Sequence, residues 1–355
     1  MKKFLTFPEK DYTAAGSYNE EFHGNVFDTL IIQHDSNFVA SGGTITSHAK
    51  GAIRPLGTPE LNQANNTLIR AQAEDLFLGS AFLNGGFPET LLPASITTGN
   101  NDDYTATMRL KFGRIIPGSM VDASVTKCFL RGNFGELTSV ATSASGGNVS
   151  SATGKLRGAV VTTDRQPKLG FPRPKITAAE VEIGYASSSI PHVIRFEQDT
   201  YVRGFAVRAF DDSADADSDG LIRALKVSVT DGAGQNDVVR ARWGHLRKQT
   251  AALAGWTPED QARAAGFVWV SMTDETASAL NGAKLFQAGD SVTFEFDTSS
   301  TAEAGYTAVG AASGDKAVIV TWGATPIDPE GNGGVQVRKI ANPKAARRRF
   351  RNLQG

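Results

Sequence analysis

Residues 291–297 read S-V-T-F-E-F-D, with every second side chain apolar, the signature of a strand that buries one face. The same period of two runs through residues 104–112 (Y-T-A-T-M-R-L-K-F) and 201–210 (Y-V-R-G-F-A-V-R-A-F), where it puts Tyr201, Phe205, Val207 and Ala209 on one face. Shorter apolar runs at 26–34, 44–49, 67–71, 121–131 and 158–163 predict about six strands in the first half. Runs at 189–197, 221–230, 266–272 and 317–322 join 201–210 and 291–297 as strands of the second half. Helical spacing is confined to short pieces. Residues 238–254 place Trp243, Leu246 and Leu253 on one side, and 274–280 make a helical turn. Thr257-Pro258-Glu259-Asp260 is a helix start: a threonine cap, a proline in the first turn, and acids at the positive dipole end.

Thr58-Pro59-Glu60 repeats that start 199 residues earlier, and the L-N-G at Leu83 recurs at Leu280, 197 residues on. The echo implies two related units, each a set of strands with a short loop helix, rather than βαβ crossovers, which need longer helices. A chain of 355 residues has room for two cores. The expected division is an N-terminal arm over 1–25, a first unit over 26–163, a Pro-rich linker over 164–175 with Pro167, Pro172 and Pro174, a second unit over 176–328, and a tail over 329–355. The aromatics Phe4, Phe7, Tyr12, Tyr18 and Phe22 are expected to anchor the arm on its own body or on a neighbour. Residues 138–155, nearly all Ser, Thr, Gly and Ala, read as a surface loop. The predicted fold class is all-β with short loop helices: two β-sandwiches in tandem, with 37 glycines serving the turns.

Charge adds one feature to this picture. The net charge is −1, but residues 331–355 hold seven basic side chains and no acid, which leaves 29 basic and 37 acidic residues in the remainder. Lys344, Arg347, Arg348, Arg349 and Arg351 form a candidate contact for anionic lipid or nucleic acid, set against a solubilising end as the alternative. No stretch resembles a signal peptide or an 18-residue membrane span, which implies synthesis in the cytoplasm.

Candidate chemistry is sparse. The single Cys128, in a strand-like run with no histidine nearby in sequence, reads as a buried structural thiol. No phosphate-binding glycine loop or nucleophile elbow occurs, and the five histidines do not pair at metal-ligand spacing. The chain is therefore not expected to be an enzyme. The best local motif is Asp215-Ala-Asp217-Ser-Asp219-Gly220, with carboxylates at alternate positions and a glycine for the turn, as in a loop that wraps Ca²⁺. It lacks the closing glutamate of an EF-hand, since Lys226 stands there, and a solvated acidic turn is the competing reading. With Asp211 and Asp212 it crowds five negative charges into nine residues, a repulsion that a cation or a basic surface would relieve.

The doubled capped-helix start (Thr58-Pro59-Glu60, Thr257-Pro258-Glu259), the alternating strands at 201–210, 291–297 and 317–322, and the polar termini together resemble the double jelly-roll major capsid proteins of tailless, membrane-containing icosahedral bacteriophages, the tectivirus and corticovirus kind. The resemblance spans roughly residues 26–325 and rests on architecture, since that family has no diagnostic motif. It implies a homotrimer whose six jelly rolls form a pseudo-hexagonal tile of a capsid lattice. It also implies other virion proteins as partners, and a basic tail directed at the inner membrane or genome. A structural Ca²⁺ at Asp215, Asp217 and Asp219 would fit it. The competing function is a Ca²⁺-dependent carbohydrate-binding or adhesin-like pair of β-sandwiches, with Trp243 or Trp256 beside the acidic loop.

Overall fold

In the computed structural model, the described residues are 3–47, 51–87, 95–97, 101–124, 126–144, 148–163, 172–184, 190–272, 283–298 and 311–326. The first half holds strands β1 (Lys3–Tyr12), β2 (Gly16–Phe22), β3 (Val26–Ser41), β4 (Thr44–Ser47), β5 (Glu60–Gln63), β6 (Asn66–Arg70), β7 (Ser95–Thr97), β8 (Asn101–Lys111), β9 (Val121–Asp122), β10 (Cys128–Phe134), β11 (Ala141–Ala144) and β12 (Asn148–Thr162). Helix α1 (Ala73–Asn84) and the single turn α2 (Phe112–Ile115) interrupt them. The second half holds β13 (Arg173–Glu182), β14 (Ile190–Arg195), β15 (Thr200–Asp211), β16 (Ala216–Asp217), β17 (Ala224–Asp231), β18 (Gly234–Arg242), β19 (Phe267–Ser271), β20 (Lys284–Phe286), β21 (Ser291–Asp297) and β22 (Lys316–Thr325), with helices α3 (Trp243–Ala254) and α4 (Pro258–Arg263).

Two sandwiches share one sheet. The sheet β1-β12-β3-β8 faces strands β6, β5, β10 and β2, and Phe27, Leu30, Met108 and Leu156 from one side meet Tyr18, Leu61, Cys128 and Leu130 from the other. The sheet β14-β21-β17-β18 faces β15 and β22, closing a second core around Phe205, Val207, Ile319, Val227, Phe294 and Phe296. The covering strands of both sandwiches belong to a single ten-stranded sheet, because β13 pairs β22 antiparallel and β6 in parallel, with Ile176 opposite Ile69. The architecture is the all-β double jelly roll expected from the sequence.

Several local expectations are corrected. Residues 3–22 are not an irregular arm: β1 pairs β12 and β2 pairs β10, so this segment supplies an edge strand to each sheet of the first sandwich. Its aromatics anchor on the chain's own body, with Phe7, Tyr18 and Phe22 buried. The Ser/Thr-rich stretch is strand at 141–144 and from Asn148 on, where β12 runs beside the 16-residue β3 for almost its whole length. Residues 234–242 form β18 rather than the start of α3. In β15 a register shift between Val202 and Gly204 turns Tyr201 away from the face that carries Phe205, Val207 and Ala209, as a bulge does.

The two helix starts do not match. Thr257 accepts from the Asp260 amide while the Asp260 carboxylate accepts from the Thr257 amide, a capping box that opens α4. Thr58 has Leu61 at the equivalent place, which cannot reach back, and the segment becomes a hairpin of β5 and β6 with Leu61 and Gln63 buried. The turn passes through Ala64 at φ 51°. The L-N-G at Leu83 ends α1, where Gly85 caps the helix at φ 80°; residues 274–282 and residues 164–171 of the expected linker 164–175 lie outside the described residues, and residues 173–175 are not linker but the start of β13. The two units are alike in architecture, and the capped helix is not what they share.

Candidate functional site

The feature that organises the molecule is the seam between the sandwiches. Residues 73–84 (A-E-D-L-F-L-G-S-A-F-L-N) spread apolar side chains around the whole helix with no polar face, and α1 is buried from Ala73 to Ala81, its two acids included. A helix apolar all round must be surrounded. Here it sits between the first core and the outward face of the second sandwich's sheet. The period of two in β15, β19 and β22 sends Val207, Val268 and Ile319 into the second core, and Ala206, Trp269, Val318, Val320 and Trp322 toward the seam. Gly79 is where helix and sheet come closest, and an added Cβ would overlap the indole of Trp322. Phe82 stacks on Trp269 with ring centroids 4.4 Å apart, and Phe87 on Trp256 at 5.8 Å.

Charges cross the same seam. Arg208 of β15 is 3% exposed. Its Nε donates to Asp75 Oδ1 at 2.5 Å, one terminal nitrogen to Asp217 Oδ1 at 2.9 Å, and the other to Gln72 Oε1 at 2.7 Å. The nitrogen that binds Asp217 also lies 3.3 Å from Glu74 Oε2. Arg54 bridges Glu74 at 3.1 Å and grips both oxygens of Asp215, at 2.6 and 3.0 Å. Burial works against both guanidinium charges, but the surrounding carboxylates outweigh it and raise both pKa values. Residues 54, 72, 74 and 75 come from the first half and 208, 215 and 217 from the second, so the network ties the halves through charge-assisted bonds.

This network answers the question posed by the acidic loop. Asp215 is held by Arg54 and Asp217 by Arg208. Asp219 accepts from the Trp243 indole at 2.9 Å and the Gly266 amide at 3.0 Å, and pairs with Arg247 at 2.9 Å. Arg247 also donates to the carbonyls of Gln261, Ala264 and Phe267, which pins α3 to the end of α4. The three carboxylates engage three different arginines, and among the described residues no group of three or more His, Cys, Asp or Glu is arranged to hold a metal. The repulsion inferred from sequence is relieved by the chain's own arginines. Trp243 and Trp256 are buried and offer no surface platform to a sugar. Cys128 is buried in the first core, and burial pushes its thiol up to about 12. Lys344, Arg347, Arg348, Arg349 and Arg351 lie outside the described residues.

Sequence reading missed Arg54, Glu74, Asp75 and Arg208. A signal for three of them was present: an acidic pair opening an all-apolar helix, and an arginine inside F-A-V-R-A-F, are charges in stretches that must be buried, and buried charges are paired.

No family model and no curated protein matches this sequence. Solved structures do. The chain is similar to the major capsid protein of Sulfolobus Turreted Icosahedral Virus, with a TM-score of 0.67, 12% identity, and coverage of 92% of this chain and 97% of that one. It is similar to the PBCV-1 virus capsid protein (TM-score 0.57, 11% identity, 95% and 97% covered) and to the major capsid protein P2 of bacteriophage PM2 (TM-score 0.53, 9% identity, 94% and 100% covered). At these identities the likeness is one of fold, and it runs through both sandwiches.

Proposed function

We propose that the chain is a major capsid protein that associates with copies of itself, as a homotrimer, to tile the icosahedral shell of a virion. The observation that carries this reading is the end-to-end likeness of the fold, across both sandwiches, to capsid proteins from three different viruses. The geometry supplies a reason for the trimer. A shared sheet, a buried helix and an arginine network fix two similar sandwiches side by side. Three such chains about a threefold axis present six similar units, an outline that packs in a hexagonal lattice. The role is structural, with specificity carried by surfaces between copies. In this reading the protein is made in the host cytoplasm and ends in the virion, and the basic residues Lys344 to Arg351 meet the inner membrane or the genome. Light scattering of the purified chain tests the association: the expected mass is three times that of the 37.6 kDa protomer, and a monomer at micromolar concentration would refute it.

A further inference from the structure

The two sandwiches carry one strand order. The first is built in sequence from β1, β2, β3, β5, β6, β8, β10 and β12, the second from β13, β14, β15, β17, β18, β19, β21 and β22. In both, one sheet runs first-eighth-third-sixth and the other second-seventh-fourth-fifth. In both, helix follows the fifth strand: α1 comes after β6, and α3 and α4 come after β18. The seam uses the fifth strand and its helix from the first sandwich, and the first strand and outward sheet face from the second. There β6 pairs β13 in parallel, and α1 lies against the face that carries Val318, Val320 and Trp322.

The chain leaves the matching halves of that contact unused. Among the described residues β18, the fifth strand of the second sandwich, pairs only β17, and β1, the first strand of the first sandwich, pairs only β12. Apolar surface is left over at these places. Among the described residues the exposed large apolar side chains are Phe4, Leu5, Val193, Val238 and Leu253. Phe4 and Leu5 lie on β1, Val238 on β18 and Leu253 on α3, so all but Val193 fall on the unused halves. Helix α1 is covered on every side, whereas α3, in the equivalent place, buries Trp243, Leu246 and Ala251 and leaves Leu253 56% exposed. Phe4 stands opposite Val161 on the outward face of β1-β12-β3-β8, and Ile31 stands opposite Ala159 on the same face. We propose that a second copy of this chain continues the seam: β18 of one copy lies parallel to β1 of the next, as β6 meets β13, and Leu253 rests on the outward face beside Phe4. One surface meets a different surface, so the contact repeats around an axis and closes. It rests on the trimer reading, in which three seams and three such contacts alternate around the threefold axis.

The test is cross-linking of the full chain with a short bismaleimide. Leu5→Cys and Val238→Cys in one chain put thiols on the two facing edges, and the native Cys128 is buried in the first core. Denaturing gels should show products of two and three chains. Either substitution alone should give single chains, because such a contact never sets a residue against its own copy. Leu5→Cys with Val193→Cys should also give single chains. Links through position 193, links from Leu5→Cys alone, or no link from a parent that scatters light as a trimer would overturn the proposed surfaces and leave the trimer standing. A monomeric parent would remove both. Phe4→Lys with Leu253→Lys changes exposed positions, so each chain should keep its far-ultraviolet circular dichroism. The pair should raise the dissociation constant of the trimer about tenfold or more, as expected when two apolar side chains lose their burial. An unchanged constant would overturn the proposal.

Discussion

Replacing Arg208 with methionine probes the seam at its most buried charge. Methionine fills much of the aliphatic volume of arginine and removes the guanidinium. Asp75, 2% exposed, then loses its 2.5 Å partner, and the Asp217 side chain, 4% exposed, loses its 2.9 Å partner. Each would then be a carboxylate held away from water with its bond to Arg208 gone. Removing one partner of a buried ion pair costs about 3–5 kcal/mol, because the remaining charge stays desolvated. The apolar contacts of α1 with Trp322 and Trp269 persist in the variant, so the loss is electrostatic. At roughly 2–4 °C per kcal/mol for domains of 150–250 residues, the melting temperature should fall by about 6–20 °C. Urea unfolding followed by tryptophan fluorescence reads the same loss, since Trp322 and Trp269 line the seam. Adding Asp75→Asn to Arg208→Met should recover part of it, because the buried side chain that has lost Arg208 then carries no charge, and a double-mutant cycle isolates that coupling. A loss below about 1 kcal/mol in the single variant, the range of surface pairs, would show that the network does not tie the halves and would refute the reasoning.

Three further outcomes follow from the same geometry. Gly79→Ala should destabilise by about 1–3 kcal/mol in thermal unfolding, although alanine is the better helix former by about 1 kcal/mol, because the new methyl overlaps the Trp322 ring; a gain in stability would count against the close contact. His34 is buried, its Nδ1–H donating to the Ala52 carbonyl and its Nε2 accepting from the Tyr12 hydroxyl, each at 2.5 Å, and burial lowers its pKa to about 4, against the opposing Ala52 bond and Asp35. The unfolded chain therefore takes up the proton first: stability is intact above about pH 6.5, falls by up to roughly 3 kcal/mol as the pH drops toward 4, and should depend less on pH in His34→Gln, as urea midpoints at several pH values will show. Because Asp215, Asp217 and Asp219 each have an arginine, EDTA and added Ca²⁺ should leave the melting temperature unchanged, and a Ca²⁺-dependent rise would restore the metal-loop reading.

What could be read in the sequence was what a single face records. Ser291–Asp297 alternates because Val292, Phe294 and Phe296 face the second core, where Phe294 meets Phe205, and the other side is only half-buried; it was found residue for residue. Helix α4 was found because its cap is local chemistry between Thr257 and Asp260. Helix α1 escaped because burial on every side erases the period that marks an amphipathic helix. Strands β1 and β2 escaped because they are edge strands with few buried positions, and their pairing with β12 and β10 spans more than 100 residues. The acidic loop was located correctly as a place needing positive charge. Its arginines lay at positions 54, 208 and 247, scattered in sequence, and only the fold brings them to Asp215, Asp217 and Asp219.

Negative-stain imaging of the purified full-length protein tests the capsid account most directly. The account predicts particles of threefold symmetry with a hexagonal outline, six lobes from three chains, that pack edge to edge as concentration rises. Single two-lobed particles at every concentration, with no closed trimer, would contradict it.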